Sequence, residues 1–208
     1  MIKKIRNSKF VIQNFQKGMT YVELIVVLGI FSVMSAVIMF NYGEFQAKVD
    51  IKNLASDIAS KIVQAQKSAV NGVLPPLGFN YSDTWKPSYG VYFANTRPLE
   101  QFIYFTNTND GISDNDYYDS GEEIDTPLIT KNNRIVGIDK CSSSPCNLNS
   151  DPIESLSVTF RRPDSSAIFT TSPGETFNGS NYVQITIQSP KTANARIKIY
   201  PSGRVQVN

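Results

Sequence analysis

The sequence contains no histidine and only two cysteines among its 208 residues. Without histidine, a Ser-His-Asp or Cys-His nucleophile, a histidine general base and a histidine metal ligand are all excluded. Two cysteines are too few for a zinc site built from cysteines alone. With 41% apolar and 18% charged residues, the composition is that of a folded protein. These absences favour a structural or binding protein, and we expect the chain not to be an enzyme; the enzyme alternative is a membrane-anchored hydrolase.

The few charges are unevenly distributed along the chain. Residues 1–18 carry five basic residues and no acid, whereas the remaining 190 residues carry 15 basic and 18 acidic residues, a balance of −3. A basic block on the N-terminal side of an apolar segment keeps that side in the cytoplasm. We therefore expect a cytoplasmic N-terminus and export of everything after Tyr42.

A long apolar run follows the basic block. Residues 24–40 contain no charge, and in the 24 residues from Met19 to Tyr42 the only charge is Glu23. About 20 apolar residues cross a bilayer core, so residues 19–42 are predicted to span the membrane. A cleaved secretory signal peptide and a plain signal anchor are the alternatives, but neither explains Glu23. A carboxylate costs roughly 2.5–3.5 kcal/mol at the centre of a membrane helix and less near its end.

Residues 18–24, GMTYVEL, stand between the basic leader and the apolar run. This segment resembles the type IV prepilin signal, which a membrane-bound aspartyl prepilin peptidase cuts after the glycine before it methylates the new first residue. The resemblance implies cleavage between Gly18 and Met19, N-methylation of Met19 and removal of the leader, residues 1–18. Glu23 would then be the fifth mature residue, where the family places its glutamate. The partners implied are the peptidase, other pilin or pseudopilin subunits and the inner-membrane assembly platform.

The glutamate has a physical role that follows from cleavage. Cutting after Gly18 creates a positively charged α-amino group at the membrane edge. When subunits stack, Glu23 of one chain can face the amine of its neighbour, and pairing the two charges at low dielectric offsets part of the cost of burying each. We expect Glu23 to set the register of assembly.

Apolar residues continue at helical spacing beyond the membrane segment, at Ile51, Leu54, Ile58, Ile62, Ala65 and Ala69. Gly72 and the pair Pro75-Pro76 are helix-ending signals. We therefore predict one helix from about Thr20 to Asn71. Its first half spans the membrane, and its second half, residues 43–72, is amphipathic and packs on a globular head.

Residues 73–208 are predicted to form an exported β-rich head. Alternating apolar residues mark strands around residues 156–160, 183–187, 197–199 and 205–207, and earlier strands are expected at 89–93 and 102–105. The predicted fold class is α+β, with the long N-terminal helix covering one face of an antiparallel core.

The helical segment 54–70 and the final strand–PSGR–strand ending are similar to H-type pseudopilins and minor pilins. The resemblance implies a pilin-like fold and a structural subunit of a type IV pilus or a type II secretion filament. Whether the machine serves pilus assembly, protein secretion or DNA uptake stays open.

The two cysteines, Cys141 and Cys146, enclose the sequence SSSP. Because the exported side is oxidising, we predict a disulfide between them, with two free thiols as the alternative. A catalytic dithiol is disfavoured since redox motifs use a C-x-x-C spacing.

An acidic segment lies between two predicted strands and has seven acids and no base from Asp110 to Asp125. Alternating Asp and Asn with glycine present oxygen ligands of the kind that calcium prefers. The candidate calcium ligands are Asp110, Asp114, Asp116, Asp119 and Glu122. The alternative is a solvated hairpin loop without a metal, so calcium is the one cofactor that the sequence suggests.

The C-terminal strands are basic. After Glu175 there is no acid, and the basic residues are Lys191, Arg196, Lys198 and Arg204. The simple interpretation is an ordinary polar strand face. The alternative is a phosphate-binding patch, as in minor pilins that capture DNA during uptake. Those proteins resemble this chain at Gly203-Arg204, but Gln206 stands where they carry a second arginine.

Overall fold

The computed structural model describes residues 18–79, 81, 86, 88–94, 101–108, 115–143, 145–146, 153–172, 175–177 and 180–208. Within these residues the chain forms one helix, α1 (Tyr21–Val70), and ten strands. The strands are β1 (Ser88–Ala94), β2 (Ile103–Thr106), β3 (Glu123–Asp125), β4 (Arg134–Cys141), β5 (Ser155–Arg161), β6 (Ala167–Ser172), β7 (Glu175–Thr176), β8 (Tyr182–Gln188), β9 (Asn194–Ile199) and β10 (Val205–Val207). The fold class is α+β, as the sequence predicts.

Local capping fixes both ends of α1 within one residue of the predicted ends. At the start, the hydroxyl of Thr20 accepts a hydrogen bond from the backbone N–H of Glu23 (3.3 Å), which is the N-cap arrangement. At the other end, Gly72 adopts a positive φ of 66°, and the N–H of Val73 donates to the carbonyl of Ser68 (3.0 Å). This is a Schellman-type C-cap, which glycine accommodates because it has no Cβ.

The chain divides into two compact units, residues 1–43 and 44–208. The described part of the first unit is the apolar portion of α1 together with residues 18–20. Its large apolar side chains are exposed, Ile25, Phe31, Met34 and Ile38 among them. Within the described residues, α1 is the only helix long and apolar enough to cross a membrane.

The second unit is built around the amphipathic part of α1. Its buried residues recur every three or four positions and form one stripe: Ala47, Ile51, Ala55, Ile58, Ile62, Ala65 and Ala69. Leu54, which the sequence pattern places in the same stripe, is only partly buried. The stripe joins apolar residues of both sheets in a single core. The packing of this helix on a β structure therefore follows from its 3.6-residue apolar period.

Two antiparallel sheets supply the rest of the core. The larger has the strand order β3-β2-β1-β5-β6-β7, and the smaller has the order β10-β9-β8-β4. In β1, the side chains of Tyr89, Val91 and Phe93 are buried in the core, as alternation along a strand requires. The single antiparallel core expected from the sequence is thus formed by two sheets that share one apolar cluster with the helix.

Polar contacts fix the helix on the larger sheet. The hydroxyl of Tyr104 donates to Ser68 Oγ (3.1 Å), and that of Tyr89 donates to the carbonyl oxygen of Val73 (3.0 Å). Burial raises the pKa of Tyr89 to about 12, so this hydroxyl stays protonated and able to donate. The ammonium of Lys61 lies 2.6 Å from the carboxylate of Asp125 at the end of β3.

Candidate functional site

The N-terminal candidate residues precede and open the helix. Gly18, Met19 and Thr20 are exposed and not helical, and α1 begins at Tyr21. A Cβ built on Gly18 would meet no other atom within 4 Å. The predicted scissile bond between Gly18 and Met19 is therefore in an exposed segment that a peptidase can reach.

Glu23 lies in the first turn of α1 and its side chain is exposed. It forms no ion pair with any residue that the structure describes. A carboxylate in the first helical turn interacts favourably with the positive end of the helix dipole. Glu23 is thus favourably placed in the first turn, at the beginning of the apolar run, with its side chain exposed.

The acidic segment folds as a strap across the outer face of the larger sheet. We call residues 115–125 the acidic strap. The hydroxyls of Tyr117 and Ser155 lie 2.8 Å apart, and the N–H of Tyr118 donates to Ser157 Oγ (3.0 Å). The ring of Tyr118 also packs 5.0 Å from that of Tyr92 on β1. Hydrogen bonds and aromatic contacts therefore hold the strap against β1 and β5.

Protein donors engage the carboxylates of the acidic strap. Asp116 pairs with Arg161 at 2.6 Å, and Asp119 accepts a hydrogen bond from the side-chain amide of Asn115 (2.8 Å). Among the described residues, no group of three or more His, Cys, Asp or Glu residues is arranged to hold a metal ion. Two candidate ligands, Asp110 and Asp114, lie outside the described residues. Calcium binding stays a prediction.

Glu122 is a buried carboxylate of the strap, as Asp116 is, with 8% of its surface exposed. Its carboxylate accepts hydrogen bonds from the backbone N–H groups of Thr108 (2.9 Å) and Asp119 (3.1 Å). Burial nevertheless raises the pKa of Glu122 to about 7, because a charged carboxylate loses hydration there. Glu122 therefore links the strap to the segment that follows β2, in a position where its protonation state affects stability.

The basic candidate residues lie on and around the smaller sheet. Arg196 and Lys198 alternate along β9 with buried residues, as the sequence pattern predicts. The ammonium of Lys198 lies 4.9 Å from the ring centre of Tyr182, and the guanidinium of Arg204 lies 4.0 Å from that of Tyr200. These cation–π contacts hold two of the cations in place.

Lys191 does not belong to β9; it lies in the turn between β8 and β9.

The two tyrosines that contact Lys198 and Arg204, Tyr182 and Tyr200, were not among the residues predicted from the sequence to form a site. Their rings lie 5.5 Å apart. In the sequence, each tyrosine stands next to a segment of alternating apolar residues. That position indicates a strand end, but it does not show that the two rings lie beside each other on neighbouring strands.

Cys141 and Cys146 form a disulfide, with their Cα atoms 5.1 Å apart. The closed loop packs beside β8. The backbone N–H of Asn181 donates a hydrogen bond to the backbone carbonyl of Cys141 (2.9 Å), and the hydroxyl of Tyr182 donates one to the backbone carbonyl of Ser143 (3.2 Å). The disulfide expected from the sequence is confirmed, and its loop supports one of the tyrosines that carry the cations.

The candidate groups thus occupy three separate places. Gly18, Met19 and Glu23 belong to the first unit, whereas the acidic strap lies on the larger sheet and the basic residues lie on the smaller sheet of the second unit. Comparison with family models, curated proteins and solved structures found no match to this chain.

Proposed function

We propose that this protein is a structural subunit of a type IV pilus or a type II secretion-like filament, most similar to an H-type pseudopilin or minor pilin. One observation carries the proposal. The exposed Glu23 lies in the first turn of a helix of 50 residues, which begins two residues after an exposed, non-helical Gly18-Met19 bond, and Glu23 has no ionic partner among the described residues.

Processing is the first step of the proposed function. The chain is inserted with the basic leader in the cytoplasm and the second unit exported. A prepilin peptidase cuts between Gly18 and Met19 and methylates the new amino group. Residues 18–20 are exposed and not helical, so their backbone is accessible to the enzyme, whereas a helix would withhold its backbone groups in hydrogen bonds.

Assembly is the second step. The new amino group of one subunit pairs with Glu23 of its neighbour while the apolar side chains of residues 24–40 pack together. An unpaired carboxylate in an apolar environment is costly, so a mis-stacked subunit is disfavoured by the same group that stabilises the correct stack. Glu23 therefore supplies specificity, and the apolar side chains supply most of the buried area.

The amphipathic part of α1 connects assembly to the exported unit. Residues such as Ile58 and Ile62 are fully buried in the core of the second unit. The helix is therefore part of the fold of that unit, and the unit is incorporated together with the helix. We propose that the exported unit then acts as a cap or as a packing surface.

The decisive experiment compares two carboxylates on the same helix. Glu23→Ala should still be processed at Gly18, but its recovery in sheared filaments should fall at least about tenfold, because the neighbour's amine loses its partner. Glu44→Ala is the matched control, since Glu44 is also exposed on α1 but lies beyond the apolar run. Normal incorporation of Glu23→Ala would contradict the proposal.

DNA capture by a competence minor pilin stays a prediction. Its support is the cluster of Arg196, Lys198 and Arg204 with the rings of Tyr182 and Tyr200, because basic and aromatic side chains together bind nucleic acid strands. Its test is salt-dependent binding of duplex DNA by the full-length protein, which reversal of the charges of Arg196 and Arg204 should abolish.

A further inference from the structure

The outer face of β9 and the adjoining turn carry three positive charges, and none of these is paired with a carboxylate in the described part of the chain. We define the basic face as Arg196, Lys198 and Arg204. We propose that the basic face docks on the acidic strap of a second copy of this chain. This inference rests on the proposed function, which brings copies side by side in a filament.

The basic face is an ordered and open surface. Arg196 and Arg204 are exposed and Lys198 is half-buried. Within the part of the chain that the structure describes, none of the three cations forms an ion pair with a carboxylate. Two of them are already stacked on tyrosine rings. Less side-chain entropy is therefore lost when these cations meet a partner.

The acidic strap offers the matching surface. Asp119 and Glu123 are exposed, and no basic residue occurs from Asn115 to Thr130. The carboxylate of Glu123 accepts hydrogen bonds from the N–H of Gly121 (2.7 Å) and the hydroxyl of Tyr118 (3.3 Å). These bonds and the anchoring of the strap on β1 and β5 fix the carboxylates before any contact forms.

The charges favour a second copy as the occupant. The two surfaces lie on different sheets of one chain and have opposite sign. Asp116 and Asp125 of the strap are paired with Arg161 and Lys61, whereas Asp119 and Glu123 form no ion pair with the described residues. A contact between unlike patches of identical chains is heterologous, and repeated contacts of this kind build a filament when the rotation between copies does not close into a ring. The basic face has three cations, whereas DNA-binding proteins with strong salt dependence make about 6–10 phosphate contacts.

Such a contact provides orientation more than affinity. Exposed ion pairs are individually weak, and complementary charge chiefly sets register and rejects wrong arrangements. In a filament the apolar helices hold neighbouring copies together, so the effective concentration of one surface at the other is high. The docking therefore sets how exported units are placed along the filament.

The test is disulfide cross-linking of the full-length chain in its native membrane and in sheared filaments. One chain carries Ser120→Cys beside the strap and Gln206→Cys beside the basic face; both positions are exposed. Oxidation should produce a ladder of covalent multimers, because each copy offers both surfaces. Chains with one of the two cysteines should form no ladder. Their oxidation gives dimers at most.

Charge reversal gives the decisive comparison. The pair Asp119→Lys and Glu123→Lys, or the pair Arg196→Glu and Arg204→Glu, should reduce the ladder at least about fivefold, since like charges then face each other. A chain with all four reversals should recover at least half of the ladder. Asp164→Lys is the control for net charge, because Asp164 is exposed in the turn between β5 and β6; it should leave the ladder unchanged.

A variant that fails to fold must not count as support. Asp119→Asn with Glu123→Gln keeps the side-chain size and one acceptor oxygen at each position while it removes the charge, and it should lower the ladder about twofold to fivefold. A ladder that no reversal changes, a four-reversal chain without recovery, or no ladder at all would overturn the docking. Binding of duplex DNA by the full-length protein, lost in the Arg196/Arg204 reversal and accompanied by no ladder, would assign the basic face to nucleic acid instead.

The same samples separate this inference from the proposed function. Processed protein that enters filaments without forming a ladder overturns the docking and leaves the filament role intact. A chain that keeps residues 1–18 and stays out of filaments overturns both.

Discussion

The guanidinium of Arg161 lies 2.6 Å from the carboxylate of Asp116, and this ion pair fastens the acidic strap to β5. Asp116 is buried, and its backbone has a positive φ of 52°. Thr159 donates a further hydrogen bond to the same carboxylate (3.4 Å). The strap therefore depends on a charged group whose partner stands 45 residues away in the sequence.

Replacing Arg161 with alanine tests that dependence. Arg161→Ala removes the counter-charge of a buried carboxylate, so we expect the free energy of unfolding to fall by about 2–3 kcal/mol. The measurement is urea unfolding of the full-length protein in detergent, followed by near-ultraviolet circular dichroism. Arg196→Ala is the matched control, because Arg196 is exposed on β9 and forms no ion pair with the described residues, so its loss should change stability by less than about 0.5 kcal/mol. Equal effects of the two variants would contradict the anchoring role.

This ion pair also shows what could not be predicted from the sequence of the acidic segment. Its composition indicates oxygen ligands, and calcium, which stays a prediction, is one use of such oxygens. In the structure, Asp116 forms an ion pair with Arg161, and the carboxylate of Glu122 accepts two hydrogen bonds from backbone N–H groups. The role of each carboxylate depends on contacts with residues that are distant in the sequence, and the local spacing of acidic residues does not reveal those contacts.

The buried carboxyl of Glu122 predicts a dependence of stability on pH. Its pKa of about 7 in the folded protein is above its ordinary value of 4.5. The folded state therefore binds a proton more tightly than the unfolded state, and this contribution is present below about pH 4.5 and lost as pH rises through 7. The full difference in proton affinity corresponds to a free energy on the order of 3 kcal/mol, because each tenfold change in proton affinity is worth about 1.4 kcal/mol.

The check is unfolding by urea at pH 4.5 and pH 7 for the wild type and Glu122→Gln. The glutamine does not titrate, so the decrease in unfolding free energy between the two pH values should be smaller in the variant. The decrease is compared within each protein, because Glu122→Gln also changes hydrogen bonds. An unchanged decrease would show that Glu122 is not the titrating group.

Gly90 leaves the space that the ring of Phe105 occupies on the outer face of the larger sheet. A Cβ at Gly90 would lie 2.8 Å from Phe105 Cε1 and 2.8 Å from Thr159 Cγ2. We expect Gly90→Ala to lower the free energy of unfolding by about 1–3 kcal/mol, since both neighbours must shift. Gly137→Ala is the control on β4, where the nearest atom is Asp139 Oδ2 at 3.4 Å. A smaller loss for Gly90→Ala than for Gly137→Ala would contradict the packing argument.

The strands that the sequence predicts include those with a clean apolar alternation and two aromatic-rich segments, residues 89–93 and 102–105, which form β1 and β2. The segments around Val158, Ile185 and Ile197 form β5, β8 and β9, and the long helix has its expected extent. β4 escaped prediction because a bulge between Ile135 and Gly137 breaks its alternation. The division of the strands into two sheets depends on pairing between distant segments, which alternation alone does not determine.

The central claim concerns Gly18, Met19 and Glu23, and the mass of the mature N-terminus tests it most directly. Protein purified from the cell envelope should begin at Met19 and carry one added methyl group, and a Gly18 substitution should leave the full-length precursor in the membrane. An N-terminus that retains residues 1–18, or one that begins beyond Phe40, would contradict the account.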